Sequence, residues 1–128
     1  MFTETVKRID TLARRRRLYP FALAGWAGLI LALSVTPGVA GDLNSGLAAH
    51  VWAYFVLALM VVFWLQSAQS TQVCIKAAVY AGLYGFLIEC LQYFIPYRAF
   101  EDADVAVNTA SAALAAIVGY FMIRRQWI

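Results

Sequence analysis

Four long apolar stretches alternate along this chain with short polar ones, and the alternation sets the expected architecture. The first, Leu18 to Val35, carries no charge, and Pro37 with Gly38 ends it, because proline cannot continue a regular helix. The second runs from about Ala48 to Gln66 and is followed by a Ser- and Gln-rich turn. The third runs from about Val73 to Ile95, where Pro96 stops it, and the fourth from about Asp104 to Ile123. About 20 apolar residues suffice to cross a bilayer. The pattern predicts an all-α membrane protein, with transmembrane helices at about 18–36, 48–66, 73–95 and 104–123 in a compact antiparallel bundle. Residues 1–17 are different. Phe2, Val6, Ile9 and Leu12 or Ala13 recur at helical spacing opposite Lys7 and Arg8, and Arg14 to Arg17 follow. This predicts a short amphipathic helix lying on an anionic leaflet ahead of the bundle. The chain then divides into a basic arm, 1–17, and a four-span membrane domain, 18–125.

Composition agrees with the pattern. At 63% hydrophobic and 13% charged residues, a chain of 128 residues could not hide its apolar surface from water, so membrane lipid is the expected surrounding. The positive start followed by an apolar run also suits a cleaved signal peptide, but the run exceeds the usual ~7–15 residues and further spans follow, so the arm is expected to remain. The arginine run precedes a span directly, which makes it a topological anchor and argues against a nucleic-acid partner. Nine of the ten Lys and Arg lie on the side of the termini, with Arg98 the exception. By the positive-inside rule both termini are cytoplasmic, and the turns at 37–49 and 96–103 face outward. Cys74 and Cys90 would lie about 24 Å apart along one helix, too far to bridge.

Polar residues inside the spans carry the candidate chemistry. In lipid, helices associate through close packing and hydrogen bonds, without a hydrophobic push. The third span places Ala78, Gly82, Gly85, Glu89, Gln92 and Pro96 along one stripe, and the fourth places Asp104, Asn108, Ser111 or Ala112, Ala115 and Gly119 along another. Both stripes turn polar toward the same outer end. Glu89 lies about 9 Å below that end. A charge there costs roughly 2.5–3.5 kcal/mol to insert, so it must be paired, protonated or reached by water. Arg98 is the one basic candidate on its side, Gln92 and Asn108 offer amides, and His50, with Tyr54 one turn on, opens the second span. His50, Glu89, Gln92, Arg98, Asp104 and Asn108 are therefore expected to converge on one outward-facing pocket. The plainer alternative is a clasp in which Glu89, Arg98 and Asn108 hold the hairpin shut, with Asp102 and Asp104 as helix-start acids. Few serines, none of them in a nucleophile-elbow context, exclude a hydrolase triad, and a single histidine with scattered acids implies neither a metal nor a cofactor.

His50-Val-Trp-Ala-Tyr54, Glu89-Cys-Leu-Gln92, Pro96-Tyr-Arg98, Asp104 and Asn108-Thr109 at these spacings, with Leu33-Ser-Val-Thr-Pro37 before them, resemble the VanZ-like family over about residues 19–122. The resemblance implies a small multi-pass protein of the bacterial cytoplasmic membrane. The family takes its name from a member linked to glycopeptide (teicoplanin) resistance. The chain departs from the family pattern at Gly46 and Leu47, where Asp-Lys is usual, at Tyr97, where glycine is usual between Pro96 and Arg98, and at Ser111, another usual glycine. The missing lysine leaves Arg98 as the lone outer cation. Three readings follow: an envelope protein binding a polar group of a lipid, cell-wall precursor or glycopeptide; a membrane enzyme on a lipid-linked or envelope substrate, with Glu89 or His50 as acid/base; and, least supported, a proton or ion pathway through Glu89.

Overall fold

A computed structural model describes residues 2–37, 43–65 and 70–125, with side chains described for 14, 17–37, 46–65 and 70–125. Its helices are α1 (Phe2–Val35), α2 (Leu43–Leu65), α3 (Ser70–Tyr93) and α4 (Asp102–Arg124). Four segments within them are long and apolar enough to span a membrane: Arg17–Val35, Gly46–Leu65, Ser70–Tyr93 and Asp102–Arg124. Leu83, Phe86, Leu87, Leu114, Ile117 and Phe121 are exposed on the outside of this bundle, the inverse of a water-soluble pattern.

Helices α2, α3 and α4 each pack on the other two, while α1 rests on α2 and α3 and does not reach α4 among the described residues. The core is built from small residues and valines. Ala58, Ala77, Ala81, Ala112 and Ala115 are fully or almost fully buried, and Val61, Val62 and Val73 fill the far end. The two expected small-residue stripes meet in part across the α3–α4 contact, with Gly82 beside Thr109 and Gly85 beside Asn108. At Gly85 the neighbouring helices leave no room for a side chain. A Cβ there would stand 3.0 Å from Asn108 Cβ and 3.0 Å from Tyr54 Cε1. Gly119 makes the same allowance for Val62, whose Cγ1 lies 3.0 Å from the corresponding position. Across the other contact, Trp26 Nε1–H donates to the Ala53 carbonyl at 3.0 Å, and the Tyr84 hydroxyl donates to the Ala27 carbonyl at 2.5 Å. In lipid such bonds have no water to compete with, so two of them fix where α1 sits.

Several boundaries differ from those expected: α2 opens at Leu43 and α3 at Ser70, ahead of the expected Ala48 and Val73. The basic arm is not a separate helix in its backbone: α1 runs without a break through Arg14–Arg17 and past Pro20. Arginine is a good helix former, and a change from polar to apolar residues does not change the helical period. Pro20 removes one backbone donor, a loss that a membrane helix tolerates when neighbours compensate. The side chains on which an amphipathic face would be judged lie outside the described residues. α3 ends at Tyr93, before the expected Ile95, because Pro96 disfavours helical geometry in the residue ahead of it. The chain tightens instead, with Phe94 N–H bonded to Leu91 O at 3.1 Å and Ile95 N–H to Gln92 O at 3.0 Å. α4 opens at Asp102, with Glu101 extended ahead of it and no side-chain cap.

Candidate functional site

Glu89 sits on the inner face of α3, one turn beyond Gly85, and is 0% exposed. The notch at Gly85 brings α4 close enough for Asn108, also fully buried, to lie beside it in the same three-helix junction. Glu89 Oε2 receives the Glu101 backbone N–H at a long 3.5 Å. That donor stands at the entrance to α4, where the unpaired amides of a helix start favour an anion. Glu89 Oε1 has no partner, and neither have Asn108 Nδ2 and the Tyr54 hydroxyl, all buried.

His50 reaches this junction from α2. Its Nδ1 lies 2.9 Å from Asn108 Oδ1, an acceptor, so the ring donates there, and its Nε2 lies 3.6 Å from Asp104 Oδ2. The His50 and Asp104 side chains are 23% and 24% exposed, so they form a mouth above the buried Glu89 and Asn108. Tyr54 stacks on the imidazole from the turn below, with centroids 6.2 Å apart and planes at 25°. One ligand atom each from His50, Glu89 and Asp104 lie within 4.8 Å of one another. Two ionised carboxylates at that spacing repel by about 3 kcal/mol at an effective dielectric near 20. Among the described residues, no lysine or arginine is paired with either carboxylate.

Of the six expected site residues, the structure gathers four: His50, Glu89, Asp104 and Asn108. Gln92 and Arg98 turn elsewhere, and the alternative Glu89–Arg98 clasp is not formed. Arg98 donates to Leu33 O at 3.3 Å and to Thr36 O at 3.0 Å, Gln92 Nε2 donates to Ser34 O at 3.1 Å, and Tyr97 Oη donates to Val35 O at 2.6 Å. The last carbonyls of a helix lack intrahelical partners. Here the end of α3 and the following turn supply them, so Gln92, Tyr97 and Arg98 form a cap for α1. The guanidinium carries several donors in a fixed fork, which suits two carbonyls of one helix end better than one distant carboxylate.

Tyr54 is the site residue that sequence reasoning set among its neighbours but did not count. Its i, i+4 spacing from His50 was the signal, since such residues share a helix face. Glu101 contributes only its backbone, which no side-chain pattern discloses.

The VanZ/LLP1 family model matches residues 18–124. No curated protein and no solved structure matches the chain.

Proposed function

The chain belongs to the VanZ/LLP1 family, and from that premise and the geometry of the junction we propose that it captures the polar group of an amphiphilic envelope ligand at one face of the bilayer. The ligand class is a lipid, a cell-wall precursor or a glycopeptide, with the apolar part of the molecule against the helices. One observation carries the reading: Glu89 is fully buried, keeps one carboxylate oxygen without a partner, and lies beneath the half-open His50 and Asp104. A buried polar atom left unpaired is costly, and a ligand that supplies the missing bond recovers that cost on binding. Tyr54 Oη and Asn108 Nδ2 offer donors at the same place. The site stands at the α4 entrance, hence near one end of the spans. The placement of basic residues puts that end outside, with both termini in the cytoplasm of a bacterial inner-membrane protein.

A second reading is favoured by the His50 contacts. An imidazole held at Nδ1 by Asn108, with Asp104 at Nε2 and a carboxylate within 4.8 Å, is arranged as an acid/base group. The same site then acts on a lipid-linked or envelope substrate. A proton or ion pathway gains no support, because beyond Ser111 the described core is Val61, Val62, Val73, Cys74, Ala77 and Ala116.

The test is native mass spectrometry of the protein purified from its membrane in mild detergent. An amphiphile retained by the wild type and lost from both Glu89→Gln and Asp104→Asn is expected. Equal retention by all three, or none by the wild type, contradicts the proposal. If the variants retain the amphiphile but lose its turnover, the enzymatic reading replaces the binding one.

A further inference from the structure

Two carboxylates and one imidazole converge here from three helices, and among the described residues no lysine or arginine is paired with them. Arg98, the cation expected to neutralise Glu89, is bonded to the end of α1. Glu89 Oε1 remains unpartnered in a residue that is 0% exposed. The three donor atoms lie within 4.8 Å of one another. We propose that His50, Glu89 and Asp104 bind a divalent transition-metal ion, with zinc the ion their nitrogen and oxygen donors fit best.

The ligand chemistry supports this. Zinc takes imidazole nitrogen and carboxylate oxygen at about 2.0–2.2 Å, and sites with three protein ligands keep a fourth position open. Tetrahedral neighbours at those bond lengths stand about 3.4 Å apart. The His50 Nε2 to Asp104 Oδ2 separation is already 3.6 Å. Glu89, one of whose carboxylate oxygens lies within 4.8 Å of the other two ligand atoms, has only to close the remaining gap. His50 is prepared for the task by its other nitrogen. Nδ1–H donates to Asn108 Oδ1 at 2.9 Å, which fixes the ring with Nε2 turned toward Asp104. Either a proton on Nε2 or a metal ion can join that nitrogen to the Asp104 carboxylate. Metal-bound histidines characteristically donate their second ring nitrogen in this way, and such outer contacts tune affinity. The fourth position then faces the mouth, where the polar group of the ligand would enter. This inference rests on the ligand-site reading above and names what would hold an anionic oxygen there.

The test uses the full chain in detergent, stripped with a chelator and titrated with Zn2+ by calorimetry, with Co2+ as a spectroscopic stand-in. One equivalent is expected to bind. Glu89→Gln and Asp104→Asn should each weaken binding at least tenfold, and Asn108→Ala by about 10–100-fold. Asp102→Asn, an exposed acid on the first turn of the same helix, should leave it unchanged. X-ray absorption of the zinc-loaded wild type should show one imidazole among oxygen donors, which needs no variant to fold. Circular dichroism checks that each variant is folded. Absence of saturable one-equivalent binding to folded wild type, or affinity unchanged in Glu89→Gln and Asp104→Asn, overturns the proposal. Repeating the mass-spectrometric ligand assay on the stripped and loaded protein separates the two ideas. A retained amphiphile without metal binding defeats the metal site alone, and metal binding without an amphiphile defeats the ligand reading alone.

Discussion

Arg98 closes the end of α1: its guanidinium lies 3.0 Å from the Thr36 carbonyl and 3.3 Å from that of Leu33. The residue that seemed the natural counter-charge for Glu89 is therefore a fastening between the α3–α4 turn and the first span. Removing it should loosen that span and leave the buried carboxylate as it is. Hydrogen bonds from a charged donor are worth about 1.5–3 kcal/mol when shielded, and this one is partly open, so Arg98→Ala should cost about 1–2 kcal/mol. Tyr97→Phe removes one further bond and should cost about 1 kcal/mol. Thermal unfolding in detergent gives the totals, and hydrogen exchange at Leu33–Thr36 should speed up in both variants.

Glu89→Gln should behave in the opposite way. It keeps the shape, removes a charge that no lysine or arginine among the described residues balances, and ends the repulsion with Asp104. In chelator-treated protein its unfolding midpoint should equal or exceed that of the wild type, while ligand retention is lost. A fall as large as that of Arg98→Ala would mean that Glu89 is part of the structural fastening.

Glycine positions divide sharply. A methyl at Gly85 meets Asn108 Cβ and Tyr54 Cε1 at 3.0 Å each, and one at Gly119 meets Val62 Cγ1 at 3.0 Å. Overpacking of this kind costs about 1–3 kcal/mol, so Gly85→Ala and Gly119→Ala should destabilise the bundle, and Gly85→Ala should also impair ligand retention. Gly25 and Gly28 have nothing within 4 Å of that position, and alanine there should be neutral or slightly favourable. Unfolding midpoints of the four variants decide the point.

Topology is open to direct labelling. In a chain with Cys74 and Cys90 replaced by alanine, a cysteine at Ala99 should react with an impermeant thiol reagent applied to intact cells. One at Ser70 should not. Labelling of Ser70 alone would reverse the assignment of inside and outside.

Much of this was legible in the sequence because lipid limits the options. A spanning segment must be a helix or part of a closed barrel, so hydropathy and proline positions located the four spans to within a few residues. The burial of Glu89 and Asn108 followed from helical stripes, since both lie on faces lined by small residues. What escaped was the set of contacts that depend on where one helix sits against another. Arg98 lies outside any stripe, and its partners are backbone carbonyls of α1, which carry no sequence signature. The same holds for Gln92, whose stripe pointed toward the site while its amide reaches Ser34. His50, Glu89 and Asp104 were expected at one depth, but their approach to within 4.8 Å across gaps of 39 and 15 positions depends on the α2–α3–α4 packing. The continuity of α1 escaped for another reason: a boundary of polarity was read as a boundary of structure.

The measurement closest to the central claim is an experimental density map of the protein reconstituted in nanodiscs of its own membrane lipids. The account predicts non-protein density within hydrogen-bonding or coordination distance of Glu89 Oε1, bordered by His50, Asp104, Asn108 and Tyr54, with Arg98 on the carbonyls of Leu33 and Thr36. A Glu89 carboxylate facing lipid, or one paired with Arg98 and out of reach of His50 and Asp104, would contradict it.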